Sequence, residues 1–357
     1  MEIISFKAEN FRNIKLAEIK PQKETNVFLG ENAQGKTNII EGLWCFTGLK
    51  SFRGAKDNEL INFDAEQARL FIEFMSEERN QTAEIILSRE KNRKIVINGI
   101  EENSNELLQK FHAVVFSPEH LQLVKSGAEE RRRFLNSAIS ALYPSYRDIL
   151  KKYKRALKQR NAILKDTKFE AYMFDFLDEY EKVLARLCSN IIMMRKKYIK
   201  RIGEYLPKIY EGISGGKEEL SFEYFASAGE SEEEIRESFK KSRLEDIRAG
   251  VTSVGAHRDD LIFKINGKSA RDFGSQGQQR SIVLSLKLSE AELLNEVSGE
   301  LPIILLDDVL SELDKGRQDY LLNHIKGRQV FITCCEEETA NRLENGKLYE
   351  ISGGNLK

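Results

Sequence analysis

Gly30-Glu31-Asn32-Ala33-Gln34-Gly35-Lys36-Thr37 is the stretch that decides the fold. It fits the pattern G-x-x-x-x-G-K-[ST] without deviation. The apolar segment Asn26-Val27-Phe28-Leu29 precedes it, and Ile39, Ile40, Leu43, Trp44 and Leu49 follow near helical spacing. Strand, glycine-rich loop and helix in that order form a cradle for phosphate. The glycines let successive backbone N–H groups turn inward, and the helix N-terminus adds its dipole. All eight residues are expected at a nucleotide, with Lys36 on the β- and γ-phosphates and Thr37 holding Mg²⁺.

Two further stretches extend that reading. Ile303-Ile304-Leu305-Leu306-Asp307-Asp308 is an apolar strand ending in two carboxylates. Asp307 is expected to hold Mg²⁺, and Asp308 to orient or deprotonate an attacking water. A plain capped strand end is the alternative, and the phosphate loop makes it the lesser one. Asp272-Phe273-Gly274-Ser275-Gln276-Gly277-Gln278-Gln279-Arg280 then opens an amphipathic pattern over Ser281 to Val297. Ser275, Gln276, Gly277 and Gln278 would offer a second phosphate-binding helix end. Two such ends on one chain invite a two-fold dimer in which each subunit closes the other's site. An ordinary N-capped helix is the competing reading.

Around these motifs the first ~118 residues read as β-rich, with alternation over Ile4–Ala8, Leu70–Phe74, Ala83–Leu87 and Ile95–Ile97, the last running into an Asn98-Gly99 turn. Ala113-Val114-Val115-Phe116 is a short buried-type strand. From Glu119 to about Arg248 the chain turns charged and helical, with long helices expected over about 145–165 and 169–206, Asp166-Thr167 near the turn between them, and another around Glu232 to Ala249. Strands return at Leu261–Ile265, Leu301–Leu306, Val330–Ile332 and Leu348–Ile351. The architecture expected is an α/β domain of residues 1–118 and 251–357, split by a helical lobe of residues 119–250. That fits a length of 357 residues, too long for one small domain at about 150 residues each.

Composition sets outer limits. Lys plus Arg number 56 and Asp plus Glu 57, a net charge of −1, so a uniformly basic nucleic-acid coat is excluded while a local basic surface is not. No apolar run approaches the roughly 20 residues of a membrane span, and the N-terminal residues lack the pattern of a signal peptide. Cys45, Cys188, Cys334 and Cys335 form no C-x-x-C pair, which argues for a reducing, cytoplasmic setting. Two basic clusters stand out. Arg147, Lys151, Lys152, Lys154, Arg155, Lys158, Arg160 and Lys165 face one acid, Asp148; Arg195, Lys196, Lys197, Lys200 and Arg201 form the second. Either is a solvated helix face or a DNA phosphate contact, with Lys151, Lys152, Lys154, Arg155, Arg195, Lys196 and Lys197 the candidates. His257-Arg258-Asp259-Asp260 reads as a structural or DNA-facing turn.

Gly30–Thr37, Ser275–Gln278, Leu305-Asp307-Asp308 and Ser311-Glu312-Leu313-Asp314 resemble, in that order, the Walker A loop, signature, Walker B strand and D-loop of an ABC-type ATPase head. The long stretch from Thr37 to Ser275 is unlike a transporter subunit. Asn10-Phe11-Arg12-Asn13 and the helical insertion are similar to the SMC-like branch. Within it Ser51-Phe52-Arg53, Phe116-Ser117-Pro118-Glu119, Arg131-Arg132-Arg133-Phe134-Leu135 and Gly255-Ala256-His257-Arg258-Asp259-Asp260-Leu261 resemble the RecF family over essentially the whole chain.

That resemblance implies a cytoplasmic ATPase that dimerises on ATP and binds DNA at junctions of single and double strands. It implies work with RecR and RecO to load RecA in gap repair, fork recovery and the SOS response, with slow hydrolysis releasing the dimer. It also implies ATP contacts for Arg12 and Asn13. Some positions depart from the pattern: Asp308 stands where ABC ATPases carry Glu, the signature is Ser-Gln-Gly-Gln, Gln122 is a weak Q-loop candidate, and Cys334-Cys335-Glu336 lacks the histidine of a switch. An SMC-like partner of a nuclease and a transporter-type ATPase are the alternatives.

Overall fold

The computed structural model describes residues 1–166, 172–335 and 346–356. In chain order its elements begin with β1 (Glu2–Phe11), β2 (Ile14–Ile19), β3 (Thr25–Leu29), α1 (Lys36–Cys45), β4 (Gln67–Ser76), β5 (Arg79–Ser88), β6 (Lys94–Ile97), β7 (Ile100–Glu102), α2 (Ser104–Lys110), β8 (Ala113–Phe116) and α3 (Pro118–Leu121). Next come α4 (Ala128–Leu142), α5 (Pro144–Leu164), α6 (Met173–Ile202), α7 (Leu206–Ser214), β9 (Leu220–Phe225), α8 (Glu232–Ala249), β10 (Asp260–Ile265), β11 (Lys268–Ser269) and α9 (Ala270–Phe273). The chain closes with α10 (Gln276–Ser298), β12 (Ile303–Asp307), α11 (Lys315–His324), β13 (Val330–Cys334), β14 (Lys347–Ser352) and β15 (Asn355–Leu356).

Two compact units result. The first joins Met1–Gln122, Lys208–Lys217 and Gln276–Lys357; the second joins Leu123–Pro207 and Glu218–Ser275. The split α/β plan is the expected one, with different boundaries. Residues 251–275 fall in the second unit, because β10 pairs antiparallel with β9 from Leu261↔Tyr224 to Ile265↔Leu220. Leu220, Phe222 and Tyr224 do alternate with Ser221 and Glu223, but the segment is short and lies within a charged, helical stretch, and a sequence reading passes over it.

The first unit holds two six-stranded sheets. One, ordered β2-β1-β4-β5-β6-β7, is antiparallel. Along β4, Ala68, Leu70, Ile72 and Phe74 are buried while Arg69, Phe71 and Glu73 take the other face, the period-two pattern of a sheet covered on one side. Asn98 and Gly99 both adopt positive φ, 50° and 81°, in the expected β6–β7 turn. The other sheet, ordered β15-β14-β3-β13-β12-β8, is parallel except for β15. All five residues of β12 and of β13 are buried, as strands covered on both faces must be. Helix α1 packs on β1 so closely that a Cβ on Gly42 would lie 2.9 Å from the Phe6 ring.

One expectation about this unit is corrected. The pattern over Ser281–Val297 predicts an amphipathic helix, but α10 buries a continuous run from Ser281 to Ala291, including Lys287 and Glu290 as an ion pair. Ser285 and Ser289 are tolerated inside because each hydroxyl donates to a carbonyl four residues earlier.

The second unit is built on the α5–α6 pair, flanked by α4 and α8 and by the β11-β10-β9 sheet. The helices match the expected 145–165 and Glu232–Ala249 closely. Ser231 and Glu234 form a capping box at the start of α8. The expected start of the 169–206 helix and Thr167 lie outside the described residues. Buried charge ties this unit together. Arg160 reaches Asp246 at 2.8 Å, Glu181 at 2.9 Å and Thr252 at 2.8 Å. Arg131 is bidentate on Asp260 at 2.7 and 2.9 Å.

Arg195 requires a correction as a DNA candidate. Its side chain is buried, donating to Tyr146 and Tyr224, the Ala256 carbonyl, Asn136 and Asp259. It is a core cation, and so is Arg160 in the other basic cluster. The turn at His257–Asp260 is structural for the same reason: Asp259 pairs with Arg195 and Asp260 with Arg131.

Candidate nucleotide-binding site

The phosphate loop lies between β3 and α1, where the sequence places it. Ala33 (φ 64°) and Gly35 (φ 113°) supply the left-handed turns that aim successive N–H groups into one concavity. Lys36 is 6% exposed. Its Nζ donates to the Gly30 carbonyl at 2.7 Å, the Glu31 carbonyl at 2.8 Å and Cys335 Sγ at 3.3 Å. Among the described residues no carboxylate stands within ion-pair distance of it. This buried cation therefore has only neutral partners.

Parallel pairing brings the second half of the site to the same sheet edge. β13 separates β3 from β12, so Asp307 at the end of β12 lies beside Thr333 of β13 and reaches Thr37. Thr37 Oγ1 donates to Asp307 Oδ1 at 2.8 Å, and Thr333 Oγ1 donates to the same oxygen at 3.1 Å. Asp307 is 4% exposed, and burial pushes its pKa up to about 6. The two hydroxyls oppose that push, while Glu119 and Asp308 reinforce it. A buried carboxylate that among the described residues is held by two hydroxyls is a fitting ligand for a divalent cation, whose charge would relieve the desolvation. Thr37 and Asp307 are the residues that would hold Mg²⁺.

Asp308 is locked in a strained conformation, φ 52°, with its backbone N–H donating to Thr333 Oγ1 at 2.8 Å and its carbonyl accepting from Ser311. Its Oδ1 lies 4.0 Å from Cys335 Sγ, which in turn donates to Asn32 Oδ1 at 3.0 Å. Its carboxylate thus lies near the loop, through Cys335. Cys335 closes the ring of contacts and is the position after β13 where a histidine switch is lacking. Glu336 lies outside the described residues.

Asn13 and Arg12 flank the loop differently. Asn13 Oδ1 accepts from Asn38 at 2.7 Å and stands where a Cβ on Gly35 would come within 2.8 Å. Arg12, in contrast, is bidentate on Glu41 at 2.9 and 3.0 Å, one turn along α1 from Thr37. Glu41 is fully buried, also accepts from Ser51 at 2.5 Å and lies 3.6 Å from Arg53. In this structure Arg12 thus braces the helix that carries Lys36 and Thr37.

Gln276, Gly277 and Gln278 form the first turn of α10, directly after Ser275. The D-loop is bound to this helix: Arg280 pairs with Glu312 at 2.5 Å, and Arg317 donates to Ser281 Oγ at 2.8 Å while pairing with Asp314. A Cβ on Gly277 would lie 3.1 Å from Arg317 Nη2, so glycine keeps the helix start open to that guanidinium. Sequence reading missed Glu41, Thr333, the contacts of Cys335 and this arginine pair. Only Glu41 left a signal, as a lone carboxylate between Ile40 and Leu43 on an apolar helix face.

The DNA candidates on α5 are arranged along one face. Lys151, Lys154, Arg155 and Lys158 recur at helical spacing and are exposed, with Lys165 following on the same side. Lys152 is exposed about a quarter turn away. On α6, Lys196 pairs with Glu230 at 2.5 Å and Lys197 lies over the Tyr143 ring at 5.5 Å.

Known proteins resemble this chain over its full length. The model of the family described as RecF/RecN/SMC N terminal domain matches residues 2–353. DNA replication and repair protein RecF of Lachnoclostridium phytofermentans is 40% identical, covering 100% of this chain and 99% of its own. The same-named protein of Clostridium acetobutylicum is 40% identical over 98% of this chain and 100% of its own. A structure of the recombination mediator protein RecF with ATP in the RecFOR pathway superimposes with a TM-score of 0.90 at 33% identity, covering 100% of this chain and 97% of that one. The Smc head domain of Pyrococcus furiosus, 14% identical with a TM-score of 0.56 over 100% of this chain and 95% of its own, shares the fold. Motif order, site geometry and full-length similarity agree, and the chain belongs to the RecF family within the RecF/RecN/SMC group.

Proposed function

We propose that this chain is an ATP-switched DNA-binding protein of replication and recombinational repair. One observation carries the reading: Lys36 and Asp307 are buried opposite charges at one sheet edge, each with only neutral partners among the described residues. A buried charge left in that state is costly unless a ligand completes it. A nucleotide triphosphate with Mg²⁺ supplies both missing charges. The names of the similar proteins, and ATP in a similar structure, support the same assignment.

Gly30 to Thr37 cradle the phosphates, Lys36 neutralises the β- and γ-oxygens, and Asn13 supports the loop. Thr37 and Asp307 would hold Mg²⁺, which would supply positive charge to the phosphates. Asp308 orients the attacking water and accepts its proton. Ser275 with Gln276–Gln278 completes the site of a second copy, so bound ATP stabilises the dimer by mass action, and hydrolysis releases it. The α5 stripe neutralises DNA phosphates at gapped or junction DNA. RecR and RecO are the partners that the RecFOR pathway of the similar structures suggests, with RecA loading, fork recovery and the SOS response downstream. No helix among the described residues is long and apolar enough to cross a membrane.

The test measures mass by light scattering and binding to gapped DNA across a salt series, with and without ATP. Lys36→Met is expected to abolish ATP-dependent dimerisation. Ser275→Arg is expected to keep ATP binding and lose the dimer, and normal dimerisation by it would sink the shared site. Neutralising Lys151, Lys154, Arg155 and Lys158 together is expected to reduce the salt slope by about three to four; an unchanged slope removes α5 from the DNA contact.

A further inference from the structure

The strand β14 runs beside the strand that feeds the phosphate loop. It pairs parallel with β3 from Lys347↔Asn26 to Glu350↔Leu29, so both strands end at the loop. Past Ser352 the chain reverses through Gly353 (φ 58°) and Gly354 (φ 78°) into β15. That reversal grips the loop. Gly353 N–H donates to Gln34 Oε1 at 2.5 Å, and Gly354 N–H donates to the Gln34 carbonyl at 2.9 Å.

The fit around these bonds is close on three sides. A Cβ on Gly30 would lie 2.4 Å from the Ile351 carbonyl oxygen. A Cβ on Gly354 would lie 2.3 Å from the Asn13 carbonyl oxygen, and Asn13 is the residue that abuts Gly35. β15 also packs on β2, the strand after Asn13. The loop is therefore held from behind by the β14–β15 hairpin and the Asn13 turn. Both acceptors of Gln34, its side-chain Oε1 and its backbone carbonyl, are thus taken by the hairpin.

We propose that the Gly353-Gly354 hairpin and Gln34 are positioning residues for the nucleotide, preorganising the phosphate loop from a segment more than 300 residues away in sequence. The proposal rests on the nucleotide-binding reading of that loop. Coupling of this kind is reciprocal. The hairpin sharpens affinity for the phosphates, and a bound triphosphate protects the hairpin.

Two arms test it on the full chain. In the first, Gln34→Met keeps the side-chain length and removes the side-chain acceptor of the Gly353 N–H. ATP affinity, read by titration with a fluorescent ATP analogue and competition by inorganic pyrophosphate, is expected to fall about tenfold for both probes. Gly354→Ala perturbs the hairpin at a different point, driving a Cβ against the Asn13 carbonyl, and is expected to give a loss of similar size. In the second, hydrogen exchange of the Gly353 and Gly354 amides in the wild-type chain is expected to slow on adding ATP and not on adding AMP. A purely structural hairpin would lower the melting temperature of the variants while leaving affinity and nucleotide-dependent protection as in the wild type; that result overturns the proposal. Should Gln34→Met not fold, Gly354→Ala and the exchange experiment decide the matter. Failure of the wild-type chain to bind ATP would instead overturn the nucleotide reading.

Discussion

Buried charge does two kinds of work in this chain, and the first unit, which also holds the Lys287–Glu290 pair, shows both. In the second unit, each large buried cation named above meets an anion: Arg160 meets Asp246 and Glu181, Arg195 meets Asp259, and Arg131 meets Asp260. In the first, Lys36 and Asp307 meet carbonyls, a thiol and hydroxyls. The paired charges fix architecture. The incompletely paired ones are where the proposed nucleotide and Mg²⁺ would supply the missing charge. Burial alone separates neither class, since Arg131, Arg160, Arg195, Lys36 and Asp307 are all buried; the identity of the partner does.

Three experiments can break or sharpen that contrast. The largest effect is expected at Arg160. Replacing it with Met leaves Glu181 and Asp246 buried without that cation and should cost about 3–5 kcal/mol, read as a drop in the urea midpoint. A loss below about 1 kcal/mol would mean that Arg243, which also pairs with Glu181, carries the network.

His257 gives the second. Burial pushes its pKa down to about 4, against the Thr252 carbonyl, with Arg258 and Arg132 adding to the push and Asp259 opposing it. Its Nε2 faces that carbonyl at 3.0 Å and its Nδ1 faces the Tyr153 hydroxyl at 2.8 Å, so the partners assign a neutral ring protonated on Nε2. The unfolded chain takes up a proton near pH 6.5, and the folded chain only near 4. Stability from this group is therefore intact above 6.5 and lost as pH falls towards 4, by up to about 3 kcal/mol. His257→Asn should flatten the acid limb of a denaturation-versus-pH curve by a comparable amount. An unchanged limb would place the acid sensitivity elsewhere.

The smallest effect has the opposite sign. Asp307→Asn removes a buried charge that lacks a cation, so the nucleotide-free chain should gain about 1–3 kcal/mol at about pH 8. The same variant should lose the Mg²⁺-dependent gain in ATP affinity. Destabilisation of the nucleotide-free chain by Asp307→Asn would erase the distinction between the two kinds of buried charge.

The same distinction explains what a sequence reading reaches. Lys36, Thr37 and Asp307 sit in motifs whose spacing is fixed by the loop and by a strand end, so their meeting at one place is legible from the order of residues alone. Arg195 and Arg160 are not legible, because a helix presents a cation to core or solvent according to its neighbours, and those neighbours come from distant segments, Asp259 and Asp246. The unit boundary fails for a related reason. It depends on β9 finding β10 across the whole of α8, a pairing that no local pattern announces. Glu41 is intermediate: the helix is readable, but the convergence of Arg12, Ser51 and Arg53 on it is not.

The strand order carries one more consequence, for synthesis. β3, from residues 25–29, has β13 and β14 as its two neighbours, and both lie more than 300 residues further along the chain. While the ribosome extends the polypeptide, β3 has emerged but both of its hydrogen-bonding edges stay open until residues beyond 330 follow. The phosphate loop at its end therefore cannot be set in its working form on the early nascent chain. ATP becomes a ligand only once β13 and β14 have been made, and the apolar strand Asn26-Val27-Phe28-Leu29 is left unpaired until then.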